Sequence, residues 1–139
     1  MQKGFKPMPG ADGWQLSNFP VMAGAPHLAS LDLFQLAGIK TLRKKSVLLT
    51  GYLEFLLRQI DPKEKRFVIL TPGNPEQRGC QLSIFINQKG KQVFEELSRA
   101  GVIADWREPN VIRVAPVPMY NTFRDVYTFA QLFRKAILR

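Results

Sequence analysis

"VIRVAPVPMYNTFRDV", residues 111–126, contains a strand, its stop and the opening of a helix. Val111, Ile112, Val114 and Ala115 read as a buried strand. Pro116 and Pro118 end it, because a proline nitrogen cannot donate to a ladder. Thr122 and Asp125, three residues apart, form a capping box. The helix it opens carries Val126, Phe129, Phe133 and Ile137 on its core side. Arg113 breaks the apolar run. Burying a guanidinium without a partner costs several kcal/mol, so this position calls for an anion. Strand alternation puts Arg113 with Val111 and Ala115, opposite Ile112 and Val114, close to a sheet edge or rim. The pattern leaves two partners open: a carboxylate of this chain, or an anion the chain does not contain.

Working backwards, "VIADWRE" (102–108) reads as a strand joined to the first by the turn "EPN". Val93, Phe94, Leu97 and Ala100 share one face of a helix over 91–100, and Gly101 is its expected stop. "CQLSIFI" (80–86) alternates strictly, with Cys80, Leu82, Ile84 and Ile86 on one side. "RFVILT" (66–71) is a further short strand, and "PGNPEQRG" a loop. Ile39, Leu42, Leu49, Leu53, Leu56 and Ile60 fall within one stripe at helical spacing, with Lys40, Arg43 and Lys44 opposite. This predicts a long amphipathic helix ending before Asp61-Pro62. A helix is also expected after Pro26, where Leu28, Leu31, Phe34 and Leu36 are apolar on several faces and imply burial on more than one side.

The element order gives an α+β fold, an α/β sandwich with a small, mostly antiparallel sheet and helices packed on one face. Residues 1–26 are rich in Gly and Pro and read as an extended lead-in. The apolar Phe5, Met8, Trp14 and Phe19 suggest that it lies against a surface. Residues 27–139 form the domain proper.

The 139 residues are 45% hydrophobic and 22% charged, the profile of one ordinary soluble domain. No apolar run approaches the roughly 18 residues that span a bilayer. The N-terminus lacks the apolar core of a secretory signal. Cys80 is the single cysteine, so no internal disulfide forms, no metal site is suggested and a reducing, intracellular setting is expected. The net charge of +9 invites a nucleic-acid reading, but the twenty basic residues are spread along the chain without interleaved aromatics. No nucleic-acid or membrane partner is expected.

His27 has no serine or cysteine nearby in sequence and reads as structural or surface. No phosphate-cradling glycine loop is present. Asp105, Glu108 and Asp125 show no spacing suited to metal or glycosidase chemistry. No complete catalytic set stands on this chain. What remains is a group of polar residues in stretches expected to be partly buried: Ser17, Asn18, Arg78, Arg113 and Asn121. Turn or cap roles suit Asn18, and backbone anchoring suits Arg78.

"GADGWQLSN" (10–18), "LRKKSVLLTGYLEFLL" (42–57), "PEQRGCQLS" (75–83) and "WREPNVIRVAPVPMYNTFRDVYTF" (106–129) resemble the C-terminal third of the kynureninase family. That resemblance implies the small C-terminal domain of a fold-type-I pyridoxal-phosphate enzyme. Such an enzyme hydrolyses L-kynurenine, or its 3-hydroxy form, to anthranilate (or 3-hydroxyanthranilate) and L-alanine, in tryptophan catabolism and NAD biosynthesis. It implies a cytoplasmic homodimer and a cofactor, pyridoxal 5'-phosphate, held mainly by a large domain that carries the Schiff-base lysine. This stretch alone is therefore expected to be inactive. Position by position, Arg113 matches the arginine that binds the substrate α-carboxylate, and Ser17 lies beside the aryl ketone. Asn18 matches an asparagine beside the cofactor, given to the partner subunit's site. Phe19-Pro20 replaces the usual pair of prolines, and Glu108 stands where some relatives have an amide. A cysteine-desulfurase-like or transaminase-like enzyme of the same fold would share the carboxylate arginine, but "RGCQLS" speaks against it.

Overall fold

The computed structural model describes Gly4 and residues 6–139; Phe5, grouped above with the apolar lead-in, lies outside the described residues. The chain forms two compact units, Met1–Gly38 and Ile39–Arg139.

In the second unit four short strands make one antiparallel sheet in the order β1-β2-β4-β3. They are β1 (Phe67–Ile69), β2 (Leu82–Ile86), β3 (Asp105–Arg107) and β4 (Val111–Val114). Period-2 patterning fixes which way each side chain points. The register pairs Phe67 with Ile86, Ile84 with Ile112 and Leu82 with Val114, so these residues share a face. All six are buried. Ser83, Phe85, Val111 and Arg113 occupy the opposite face and are half-buried.

Helices α2 (Ile39–Ile60), α3 (Gly90–Arg99) and α4 (Phe123–Ile137) cover the apolar face. From α2 come Leu49, Leu53 and Leu57, from α3 Val93 and Leu97, and from α4 Val126, Phe133 and Ile137. Burying each large side chain contributes about 1.5–3 kcal/mol. The fold is the expected α+β sandwich, with every strand pair antiparallel.

The helix ends follow local chemistry. Thr122 and Asp125 form the complete capping box. At the end of α3, Gly101 adopts φ 85° and donates to Ser98, while Val102 donates to Leu97. This is a Schellman turn, whose left-handed residue favours glycine. Just beyond α2, the buried Asp61 accepts hydrogen bonds from the backbone N–H of Arg66 (2.5 Å) and Phe67 (3.4 Å), holding the turn into β1.

Two details of the α2 stripe differ from the periodicity. Ile39 is 70% exposed, because it begins the helix, ten residues and ~15 Å of rise before Leu49, where the core cluster starts. Leu56 is partly buried against the core as expected, but the fully buried residue beside it is Leu57, outside the predicted stripe, since 49, 53 and 57 form an i, i+4 ridge.

The first unit holds a 3₁₀ turn (Ala11–Trp14) and α1 (Val21–Ala37). The helix begins before Pro26, not after it. Pro26 has no N–H to donate to the Met22 carbonyl and its ring crowds that carbonyl, yet the helix runs through it from Val21 to Ala37. The burial expected for α1 is absent: none of its residues is buried. An apolar helix buries its faces only where a second element covers them, and among the described residues this unit has only the 3₁₀ turn beside it. The Phe19 ring packs onto the first turn of α1, where a Cβ at Gly24 would lie 2.0 Å from it. Glycine at position 24 leaves room for the ring, where any side chain would collide with it. No helix is long and apolar enough to cross a membrane among the described residues.

Candidate functional site

β4 places Arg113 between Ser83 of β2 and Asp105 of β3, on the sheet face away from the helices. The hairpin centred on Pro109 sets this register: 107 pairs with 111, 106 with 112 and 105 with 113. Arg113 Nε donates to Asp105 Oδ2 at 2.5 Å, and Arg113 Nη2 donates to the same oxygen. Arg107 Nε also donates to Asp105 Oδ2, at 3.0 Å. The Arg113 hydrogen bond, the largest influence, holds the Asp105 carboxyl below the usual carboxylate range, and Arg107 lowers it further.

Arg113 thus has a partner within the chain, one of the two possibilities the strand pattern left open. The pair does not consume the arginine. Its side chain is 31% exposed, and one carboxylate oxygen takes its Nε and Nη2 donors. The Nη1 side of the fork has no hydrogen-bond partner among the described residues. Two guanidiniums share one carboxylate, so the cluster carries a net positive charge, suited to a further anion.

Polar side chains anchor the backbone of the segment after β4 and of the loop before β2. Asn121 Oδ1 accepts from Val117 N–H at 2.8 Å, which makes it a turn residue. Lys45 Nζ donates to the Pro118 carbonyl at 2.8 Å, and Arg43 donates to that of Pro75. Arg78 donates to the Pro72 carbonyl (3.1 Å), as loop anchoring predicts, and also pairs with Glu54 Oε2 at 2.6 Å. Partial burial raises the Glu54 carboxyl, but hydrogen bonds from Arg78 and Arg58 outweigh it and hold the group below its ordinary value.

Ser17 and Asn18 lie in the first unit, exposed, in the segment between the 3₁₀ turn and α1. The Ser17 carbonyl accepts from Gln15 Nε2 at 2.9 Å. The hydroxyl of Ser17 and the carboxamide of Asn18 make no hydrogen bond among the described residues. His27 is exposed on α1. Glu108 accepts from Trp106 Nε1 at 2.8 Å. A cavity of about 520 Å³, lined by Leu53, Val114, Tyr120, Asp125 and Phe129, opens on the helix side of the sheet. Arg113 points away from it. Among the described residues no three His, Cys, Asp or Glu side chains are grouped to hold a metal.

The residue that reading by motif missed is Asp105. It stands in no motif, yet the hairpin symmetry about Pro109 puts it directly across from Arg113.

A family model described as kynureninase C-terminal domain matches residues 42–133. The chain is 51% identical over 139 residues to a kynureninase of Flavobacterium psychrophilum, covering 99% of this chain and 33% of that protein. It is 50% identical over 139 residues, with the same coverage, to a kynureninase of Flavobacterium johnsoniae. Against a kynureninase of Xanthomonas oryzae pv. oryzae it is 54% identical over 132 residues, 93% of this chain and 31% of the relative. The chain spans about a third of the length of the curated relatives it matches.

Proposed function

The chain belongs to the kynureninase family, and from that premise we propose that it is the C-terminal part of a pyridoxal-phosphate-dependent hydrolase. The enzyme cleaves L-kynurenine, or 3-hydroxykynurenine, to anthranilate, or 3-hydroxyanthranilate, and L-alanine, as a cytoplasmic homodimer. Residues 1–26 lead in from the rest of that enzyme and 27–139 are its small domain; α1 crosses that division, and the compact units part at Gly38.

One observation carries the reading: a strand arginine held on the open face of the sheet, with part of its fork uncommitted. Arg113 binds the substrate α-carboxylate there. A guanidinium matches a carboxylate with two parallel charge-assisted hydrogen bonds, which fixes both position and orientation. That orientation presents the amino acid to the cofactor in one pose.

The residues of this chain suit the polar periphery of pyridoxal phosphate. Asn18 offers a carboxamide and Ser17 a hydroxyl, both exposed and both free of hydrogen-bond partners among the described residues. Asn18 would hold the cofactor in the partner subunit's site, and Ser17 would face the aryl ketone side of the substrate. The cofactor, when bound, supplies an electron sink for the carbon–carbon cleavage.

The test is to incubate the complete enzyme containing this chain with pyridoxal phosphate and either L-kynurenine or its 3-hydroxy form. Release of the aminobenzoate and L-alanine in equal amounts is expected. Absence of both products with both substrates contradicts the assignment.

A further inference from the structure

We propose that Asp105 is a positioning residue for Arg113: it holds one edge of the guanidinium so that the other is aimed at the substrate carboxylate. This rests on the reading of Arg113 as the carboxylate-binding arginine.

The geometry separates the two edges of the fork. Nε and Nη2 form the side-on edge, and both donate to a single oxygen, Asp105 Oδ2. The end-on edge, which contains Nη1, has no partner among the described residues. An arginine has several rotatable bonds, and one left free on the open face of a sheet loses entropy when it takes hold of a ligand. Asp105 removes that freedom beforehand. It comes from the neighbouring strand in direct register, so its own backbone is fixed by the β3–β4 ladder.

The same carboxylate could instead act as a competitor for the substrate's. Charge decides against it. Asp105 also takes Arg107 Nε at 3.0 Å, so two cations share one anion and the cluster stays net positive. An incoming carboxylate therefore meets an attractive field without displacing Asp105. The exposure of the pair, 31% for Arg113 and 47% for Asp105, makes its own contribution to folding small. Its main consequence is orientation.

The experiment is a double-mutant cycle in the complete enzyme, measuring kcat and KM for kynurenine. Asp105→Asn keeps the shape and removes the charge; Asp105→Ser serves as the second variant, so that the conclusion does not depend on either one folding. Each should lower kcat/KM about tenfold, chiefly through KM, while leaving the thermal midpoint within about 2 °C. Introduced into an Arg113→Ala background, either should change kcat/KM by less than about twofold, because the residue it positions is gone. Losses that multiply with that of Arg113→Ala overturn the proposal, as does a kcat/KM unchanged or raised by Asp105→Asn. If Arg113→Ala alone leaves kcat/KM intact, the reading of Arg113 itself fails, and that result is separate from a failure of Asp105.

Discussion

The Arg78–Glu54 pair makes a quantitative prediction about what holds the loop before β2. Arg78 lies in the "RGCQLS" stretch, and its side chain is only 5% exposed; Glu54, on α2, is 14% exposed. They meet at 2.6 Å. Removing one member of a fully buried pair costs about 3–5 kcal/mol, because the survivor is left charged in a poor solvent. The two survivors here differ. Without Arg78, Glu54 keeps Arg58 at 2.9 Å, so Arg78→Met should cost about 2 kcal/mol. Without the Glu54 charge, Arg78 is left among the described residues with neutral acceptors, the Pro72 carbonyl and the new amide oxygen, so Glu54→Gln should cost about 3 kcal/mol. In urea, with a slope of about 1.5 kcal/mol per molar, these losses move the unfolding midpoint down by about 1.3 and 2 M. The double variant should fall short of the sum by about 1 kcal/mol, since neither charge is then stranded. Acid should weaken the pair too. The folded Glu54 carboxyl titrates below its ordinary value of 4.5, so its contribution is complete above that value and is lost as pH falls through the lower folded one. The assay is urea unfolding of the purified chain, followed by far-ultraviolet circular dichroism. Single variants within about 0.5 kcal/mol of the parent, or costs that simply add, would refute the reasoning.

Asp61→Asn should cost about 1–2 kcal/mol at neutral pH, measured by the same unfolding, because it weakens the acceptor for buried N–H groups. Burial raises the Asp61 carboxyl, but the N–H groups of Arg66, Lys65 and Phe67 outweigh it and hold it below 3.8, so the parent's stability should fall more steeply in acid than the variant's. Phe133→Ala empties the fully buried centre of α4 and should cost about 3–5 kcal/mol, seen as a lowered urea midpoint with an unchanged slope. Thr122→Ala removes one half of the capping box and should cost about 1 kcal/mol, read from the thermal midpoint.

The parts of the fold that were legible in sequence are those where a local rule agrees with the packing. Ile84 and Ile86, Ile112 and Val114 alternate, and the sheet buries them as the pleat requires. Gly101 and the Thr122–Asp125 pair end and begin helices by hydrogen bonds within a few residues. Legibility failed where the cause lay elsewhere in the chain. The exposure of α1 depends on what covers it, which its own apolar residues do not state. Pro26 looked like a boundary because its missing N–H and its ring disfavour a helix interior, yet α1 runs through it. The position of Arg113 on the open sheet face could be read from alternation alone. Its partnership with Asp105 required the pairing register, a property of two strands rather than one. Likewise Arg78 showed its loop contact in sequence, while Glu54, on another element, did not.

The central claim is that Arg113 takes the substrate carboxylate, and the direct measurement is kcat/KM for kynurenine in the complete enzyme with Arg113→Lys and Arg113→Ala. Lysine keeps the charge but not the fork, and should still lose most of kcat/KM. Alanine should lose more, about 2–4 kcal/mol of binding to the reacting state, or roughly 30- to 1,000-fold, with the fold intact. Arg113→Ala leaving kcat/KM within about threefold, or unfolding the protein, would contradict the account and make the Asp105 pair a structural salt bridge alone.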